Sequence, residues 1–195
     1  RSADGIKKLL ISARPGSSRL HLTQTKRENP DAPPMFCMLA RKHLSGAKLI
    51  SIEQSPPERV CELRFFCYDE FGDSSEKRLV FECAGKIPNI ILTGADMRII
   101  DCVRRVNLDP GITRPMLPGM LYRYPEIPEG KINPAAVCEA GFVKLLEAAA
   151  LPAEAFLSQT FFGLSPLTCR ELAFVSGCGG TPCSALAPAE RESLK

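Results

Sequence analysis

Glu58 and Arg59 follow a rigid Pro56-Pro57 step and lead into an apolar run, so a carboxylate and a guanidinium stand side by side at the entrance to a strand. Such a pair can close on itself as a salt bridge that holds the turn. It can also stay open and read hydrogen-bond donors and acceptors on a base; the residues alone favour the first. Arg14, Arg19, Lys26 and Arg27 surround one predicted hairpin, and phosphate recognition needs only correctly placed cations. A solvated surface explains them equally simply. His21 lies two residues beyond Arg19 on the same predicted strand, so both project to one face, although a structural role is the commoner fate of a lone histidine. Lys86 and Asn89 flank a connection containing Pro88, and an exposed amide beside a cation suits contact with RNA or phosphate. A turn-stabilising asparagine is the more frequent arrangement.

Enzyme templates fail on this chain. The nucleophile elbow, the phosphate loop, the zinc-protease helix and the dinucleotide fingerprint are all absent from the sequence. Gly177-Cys-Gly-Gly180 follows a predicted helix, the wrong context for a phosphate-cradling turn. His21 and His43 are the only histidines, and neither has a nucleophile near it in sequence. The nine cysteines are odd in number and include no C-x-x-C pair, so reduced core thiols are expected. Cys169, Cys178 and Cys183 are a poor match to a zinc site, which needs three or four convergent ligands. The chain is read as a binding protein rather than an enzyme, with no cofactor and no metal.

The elements that must position these groups are written in the pattern of apolar residues. At 195 residues, 45% hydrophobic and 24% charged, the chain is long enough to bury a real core. The net charge is only +3, but it is segregated: from Arg1 to Lys48 Lys and Arg outnumber Asp and Glu ten to three, and the balance reverses from Ile50 to Cys83. Segregated charge favours a polyanionic partner. No apolar run is long enough to span a bilayer, and unpaired cysteines point to a reducing, cytoplasmic setting. The opening Arg1-Ser-Ala-Asp-Gly5, without an initiator Met, reads as the start of a trimmed piece of something longer.

Residues 7–13 and 19–23 read as a hairpin around a Pro-Gly-Ser-Ser turn, with Leu20 and Leu22 toward the core. Pro33-Pro34 then enters a helix over residues 35–44. Met35, Phe36, Met38 and Leu39 give it an apolar face expected to anchor the sheet, and Arg41, Lys42 and His43 crowd its last turn. Strands are expected at 47–54, 60–68, 78–84, 89–93 and 98–103. Prolines spread through 106–131 predict an extended wrapping segment without helix. Helices are expected over 136–150, 153–160 and from Pro166 to about Gly177, with a frayed polar tail after Gly179. The fold class is therefore α+β: an antiparallel, sandwich-like β domain with one embedded helix over residues 1–130, and a small helical module over 131–195.

The order of particular residues adds a resemblance. Leu10-Ile-Ser-Ala-Arg-Pro-Gly-Ser-Ser-Arg-Leu-His-Leu-Thr23, followed by Asn29-Pro-x-x-Pro-Pro-Met-Phe-Cys-Met-Leu-x-Arg-Lys-His-Leu44, resembles the NFACT family. Further matching blocks are Gly85-x-x-x-Asn-Ile-Ile-Leu92, Ile100-Asp101, Arg114-x-x-Leu-Pro-Gly-x-x-Tyr122 and Gly163-Leu-Ser-Pro-Leu-x-x-Arg-Glu-Leu172. These proteins were long labelled fibronectin-binding protein A and are now read as RqcH-like and NEMF-like ribosome quality-control factors. The resemblance implies the family's N-terminal domain, similar in fold to formamidopyrimidine-DNA glycosylases but without their N-terminal proline nucleophile, so the fold analogy carries no glycosylase activity.

For the full-length factor the resemblance implies binding to a large ribosomal subunit obstructed by peptidyl-tRNA, recruitment of tRNA, and C-terminal tailing, typically with alanine in bacteria. The family's Asp-Arg pair, implicated in tRNA engagement, falls on Glu58-Arg59, with the acid one methylene longer. Its Gly-Arg-His-Ser-Asn block appears as Gly85-Lys-Ile-Pro-Asn89, where Lys86 keeps the charge without the bidentate fork. Arg14 stands where the family usually shows His. The expected tRNA- and rRNA-binding residues are thus Glu58, Arg59, Arg14, Arg19, His21, Lys86 and Asn89. A fibronectin-binding surface adhesin is the alternative.

Overall fold

Alternating and helical stretches of the sequence resolve into seven strands and five helices, in a computed structural model that describes residues 5–54, 59–68, 72–83, 87–107, 114–126 and 128–194. The chain divides into two compact units, Arg1–Tyr124 and Pro125–Lys195. The architecture is α+β, with antiparallel pairing throughout both sheets.

In the first unit β1 (Lys8–Ser12) and β2 (Arg19–Thr23) form a separate two-stranded hairpin, in the register Ser12↔Arg19, Leu10↔His21. The second sheet is a meander of five strands in sequence order: β3 (Lys48–Gln54), β4 (Val60–Tyr68), β5 (Ser74–Glu82), β6 (Asn89–Gly94) and β7 (Ile99–Cys102). Period-two alternation sorts their side chains to two faces. On one face Val60, Val80, Ile91, Ile99 and Cys102 pack with Met116 and Tyr122. Leu63, Phe81 and Leu92, also buried, belong to the other face. Helix α1 (Met35–Leu44) lies against β4 and β7.

The proline-rich stretch contains no helix among its described residues, as expected, and residues 114–124 run as a strap over the first face. Main-chain bonds tie it to the start of β7: Ile99 N donates to Met120 O at 2.8 Å, Gly119 N to Ile99 O at 2.7 Å and Tyr122 N to Met97 O at 2.8 Å. Two buried carboxylates clasp it. Glu82 accepts from the Tyr122 hydroxyl at 2.7 Å and from Arg114 at 2.5 Å, and Glu62 accepts from the Tyr124 hydroxyl. The Arg114-to-Tyr122 block of the sequence is therefore a clasp, its two ends closing on one carboxylate. Burial, together with the Glu82 carboxylate, holds the Tyr122 hydroxyl well above the ordinary tyrosine range. For Tyr124, burial and the bond to Glu62 push the value up to about 12.

In the second unit α2 (Glu139–Glu147), α3 (Ala153–Thr160), α4 (Pro166–Val175) and α5 (Pro188–Leu194) close on a core that includes Leu146, Phe156, Leu157 and Phe161. Ser165 caps α4 by accepting from Thr168 N at 3.0 Å, with Pro166 at the first helical position.

Three expectations are corrected. Helix α1 has no fully buried residue: Met35 and Met38 are 65% and 54% exposed, and Phe36, Cys37, Leu39 and Ala40 are the half-buried side. The inward stripe is displaced by one residue from the expected one, so Met35 and Met38 turn outward while Cys37 and Ala40 turn in. Leu22 is 63% exposed rather than core, and its cross-strand partner Leu9 is 38% exposed, so among the described residues the end of the hairpin away from its turn is left open. The tail after Gly179 is not frayed: Cys183, Leu186 and Leu194 are buried in the helical core, and Cys183 N donates to Leu151 O at 2.8 Å.

Candidate nucleic-acid interface

The turn end of the hairpin and the entrance to β4 meet at one residue, Cys83. Its N–H donates to the carbonyl of Arg59 at 2.9 Å, and its own carbonyl accepts the Ser18 hydroxyl at 3.1 Å. Sequence separation hides this: Ser18 and Cys83 are 65 residues apart. The antiparallel register accounts for the Arg59 half of the junction, because Val60 opposes Glu82 and so Arg59 opposes the residue that leaves β5. Arg59 therefore shares one end of the sheet with the turn that carries Arg14 and Arg19.

Arg14, Arg19, His21 and Arg59 are all exposed. Arg19 spends one nitrogen on its own turn, donating from Nη1 to Ser17 O at 2.8 Å and to Ser17 Oγ at 3.2 Å. The guanidinium groups of Arg14 and Arg59 have no carboxylate partner among the described residues. His21 follows Arg19 along β2, opposite Leu10. Glu58 and Lys86 lie outside the described residues.

Asn89 is corrected. It is 1% exposed, and both ends of its amide are spent. Nδ2 donates to Arg104 O at 2.8 Å, and Oδ1 accepts from Arg104 N and from Ile90 N, each at 2.9 Å. A side chain so engaged cannot reach a nucleic acid. The cause is the cover over the strap face: Met116 sulfur sits 3.3 Å from the same amide nitrogen.

Arg104 escaped the sequence reading. It follows the Ile100-Asp101 block, and its guanidinium donates from Nη2 to the carbonyl of Ala13 at 3.1 Å, one residue before Arg14. The signal that could have found it is its place just past β7, beside the strand that begins with Asn89. Its neighbour Arg105 is instead paired, at 3.1 Å, with the buried Asp101 carboxylate.

Chemically, this end of the sheet offers several guanidinium groups on hydrogen-bonded backbone. That suits phosphate oxygens. Among the described residues no three His, Cys, Asp or Glu converge to hold a metal ion, and no helix is long and apolar enough to cross a membrane. The Cys102 thiol, close to this end, donates to Arg104 O at 3.2 Å and is pushed up to about 11 by burial and by Asp101. It is held as a neutral donor rather than a nucleophile.

Comparison with known proteins bears on this geometry. A family described as NFACT N-terminal and middle domains matches residues 1–195. A protein of Bacillus subtilis named Rqc2 homolog RqcH is 36% identical over 171 residues, which is 87% of this chain and 30% of the relative. Among solved structures, the N-terminal domain of fibronectin-binding protein PavA from Streptococcus pneumoniae superimposes with a TM-score of 0.78 at 33% identity, over 90% of this chain and 68% of that one. The N-terminal part of the fibronectin/fibrinogen-binding protein of Streptococcus suis gives 0.79 at 32% identity, over 100% and 70%. The chain spans less than a third of the length of the RqcH relative.

Proposed function

The chain belongs to the NFACT family, and on that footing we propose that it is the RNA-binding part of a ribosome quality-control factor. In this reading it acts in the cytoplasm by binding and does no chemistry of its own. Arg14, Arg19 and Arg59 hold phosphates of tRNA or of large-subunit ribosomal RNA, and Glu58-Arg59 supplies the contact that reads the tRNA. The whole factor then engages large subunits obstructed by peptidyl-tRNA and promotes C-terminal alanine tailing.

The observation that carries the reading is the joining of Arg59 to the hairpin turn through Cys83. It gathers exposed arginines from distant parts of the sequence. Arginine suits the task because its planar fork matches phosphate oxygens and cannot be discharged near neutral pH. The test is binding of labelled, deacylated tRNA to this chain. Arg59→Ala should lower affinity on the order of tenfold or more and, in the complete factor, abolish tailing. Unaltered binding and unaltered tailing would refute the role given to Arg59.

A second reading is favoured by the solved neighbours, which are described as binding fibronectin or fibrinogen. It makes this domain part of a surface adhesin. Co-sedimentation with ribosomes would support the first reading, and accessibility to a protease on intact cells would support the second.

A further inference from the structure

The buried amide of Asn89 sits at the root of a chain of bonds that ends at the hairpin. Asn89 brackets the main chain of Arg104, taking its N–H at 2.9 Å and giving to its carbonyl at 2.8 Å. The Cys102 thiol donates to the same carbonyl at 3.2 Å. With its backbone pinned on both sides, Arg104 reaches across to the hairpin and donates from Nη2 to the carbonyl of Ala13 at 3.1 Å. Ala13 is 8% exposed and directly precedes Arg14. On the other side of the turn, Ser18 is held to Cys83.

We propose that Arg104, set by Asn89, is a positioning residue that fixes the hairpin turn so that Arg14 and Arg19 meet RNA phosphates together with Arg59; this rests on the RNA-binding reading above. Three features of the structure point that way. The hairpin is a two-stranded sheet of its own, and such a hairpin is marginal in water without outside support. Its Leu9 and Leu22, paired with each other, are both exposed, so its outer end contributes little to holding it. The side-chain clamps therefore fall at the turn end, beside the arginines. In addition, Nε of Arg104 is buried without an acceptor. An unpartnered buried donor is a cost to folding, and a methionine of similar reach would not carry it. Arg104→Met is for that reason expected to fold, while Asn89→Ala empties a buried polar site and tests less cleanly.

The relay makes Arg104 and Arg14 act as one unit, which a direct phosphate contact by Arg104 would not do. The experiment is a double-mutant cycle on the affinity of this chain for deacylated tRNA. It is read alongside amide hydrogen exchange of the RNA-free chain. Arg14→Ala and Arg104→Met should each weaken binding on the order of tenfold, and the double variant should lose little more than either alone. Exchange over residues 13–19 should quicken in Arg104→Met while β4 to β6 stay protected. Arg104→Lys, which keeps a donor for the Ala13 carbonyl, should recover most of the binding.

Losses that multiply in the double variant, or hairpin exchange that does not move, would overturn the assignment. The failure of the RNA reading itself looks different: Arg59→Ala and Arg14→Ala would both leave tRNA affinity unchanged. The positioning role would fall with it, even if exchange showed Arg104 bracing the turn.

Discussion

Two regions of the first unit are rich in arginine, and they use it in opposite ways. On the strap face Arg64 donates to Glu76 at 3.0 Å, Arg78 reaches Glu76 at 3.0 Å and Glu62 at 3.4 Å, and Arg114 is closed on Glu82. Every one of these cations is neutralised by a carboxylate on a neighbouring strand or across the strap. At the hairpin end Arg14 and Arg59 have no carboxylate partner among the described residues, and Arg19 and Arg104 bond to main-chain carbonyls. A bonded carbonyl positions a guanidinium without discharging it. By electrostatics alone, the attraction of a region for a polyanion follows its unneutralised charge rather than its number of arginines.

Removing carboxylates from the strap face should therefore cost stability, and removing cations from the hairpin end should cost binding. Glu82→Ala strands the partly buried Arg114 and the Tyr122 hydroxyl. Urea unfolding should show a loss of about 3 kcal/mol, and a loss under 1 kcal/mol would mean that the clasp does not hold the strap. Arg59→Ala should leave the urea midpoint almost unmoved, within about 0.5 kcal/mol. Its cost should appear in tRNA binding, at about 1.5–3 kcal/mol. A variant that lost stability instead would place Arg59 with the structural arginines. Tyr122→Phe removes one hydroxyl from Glu82 and should cost about 1 kcal/mol.

The smallest effect concerns acid. The hydrogen bond from Arg64, with the charge of Arg78, holds the Glu76 carboxyl below its ordinary value. A group depressed in the folded state stabilises fully above its unfolded value, about 4.3. That contribution disappears as pH falls through the lower folded value. Glu76→Gln should flatten this part of the stability profile and leave the neutral end little changed apart from the lost pair. An unchanged acid slope would remove Glu76 from the network.

Much of this organisation was legible in the sequence. Alternation located β2 and β4 to the residue, and Ala153–Thr160 emerged as α3 with the expected bounds. Local pattern could not reveal what covers what. Nothing in the sequence around Asn89 announces its burial, because its cover, Met116, comes from a proline-rich stretch with no periodic signal. Met35 and Met38 satisfy helical spacing, yet the line along which α1 meets the sheet is set by tertiary packing. The polar tail concealed Cys183, Leu186 and Leu194, three apolar anchors spaced too irregularly to read as a packed element. At the candidate interface, the basic hairpin was visible from composition. Its junction with Arg59 required the strand register, and Arg104 required knowing which carbonyl it would meet.

The central claim is that the hairpin-end arginines with no carboxylate partner among the described residues, rather than arginines in general, bind RNA phosphates. The most direct test is the salt dependence of tRNA binding for Arg14→Ala, Arg59→Ala and Arg98→Ala. Arg98 is also exposed, but it pairs with Asp96 at 3.4 Å. The account predicts that the slope of log affinity against log salt falls by about 1 for each of the first two and stays put for Arg98→Ala. Equal slopes for all three variants and the parent chain would contradict it.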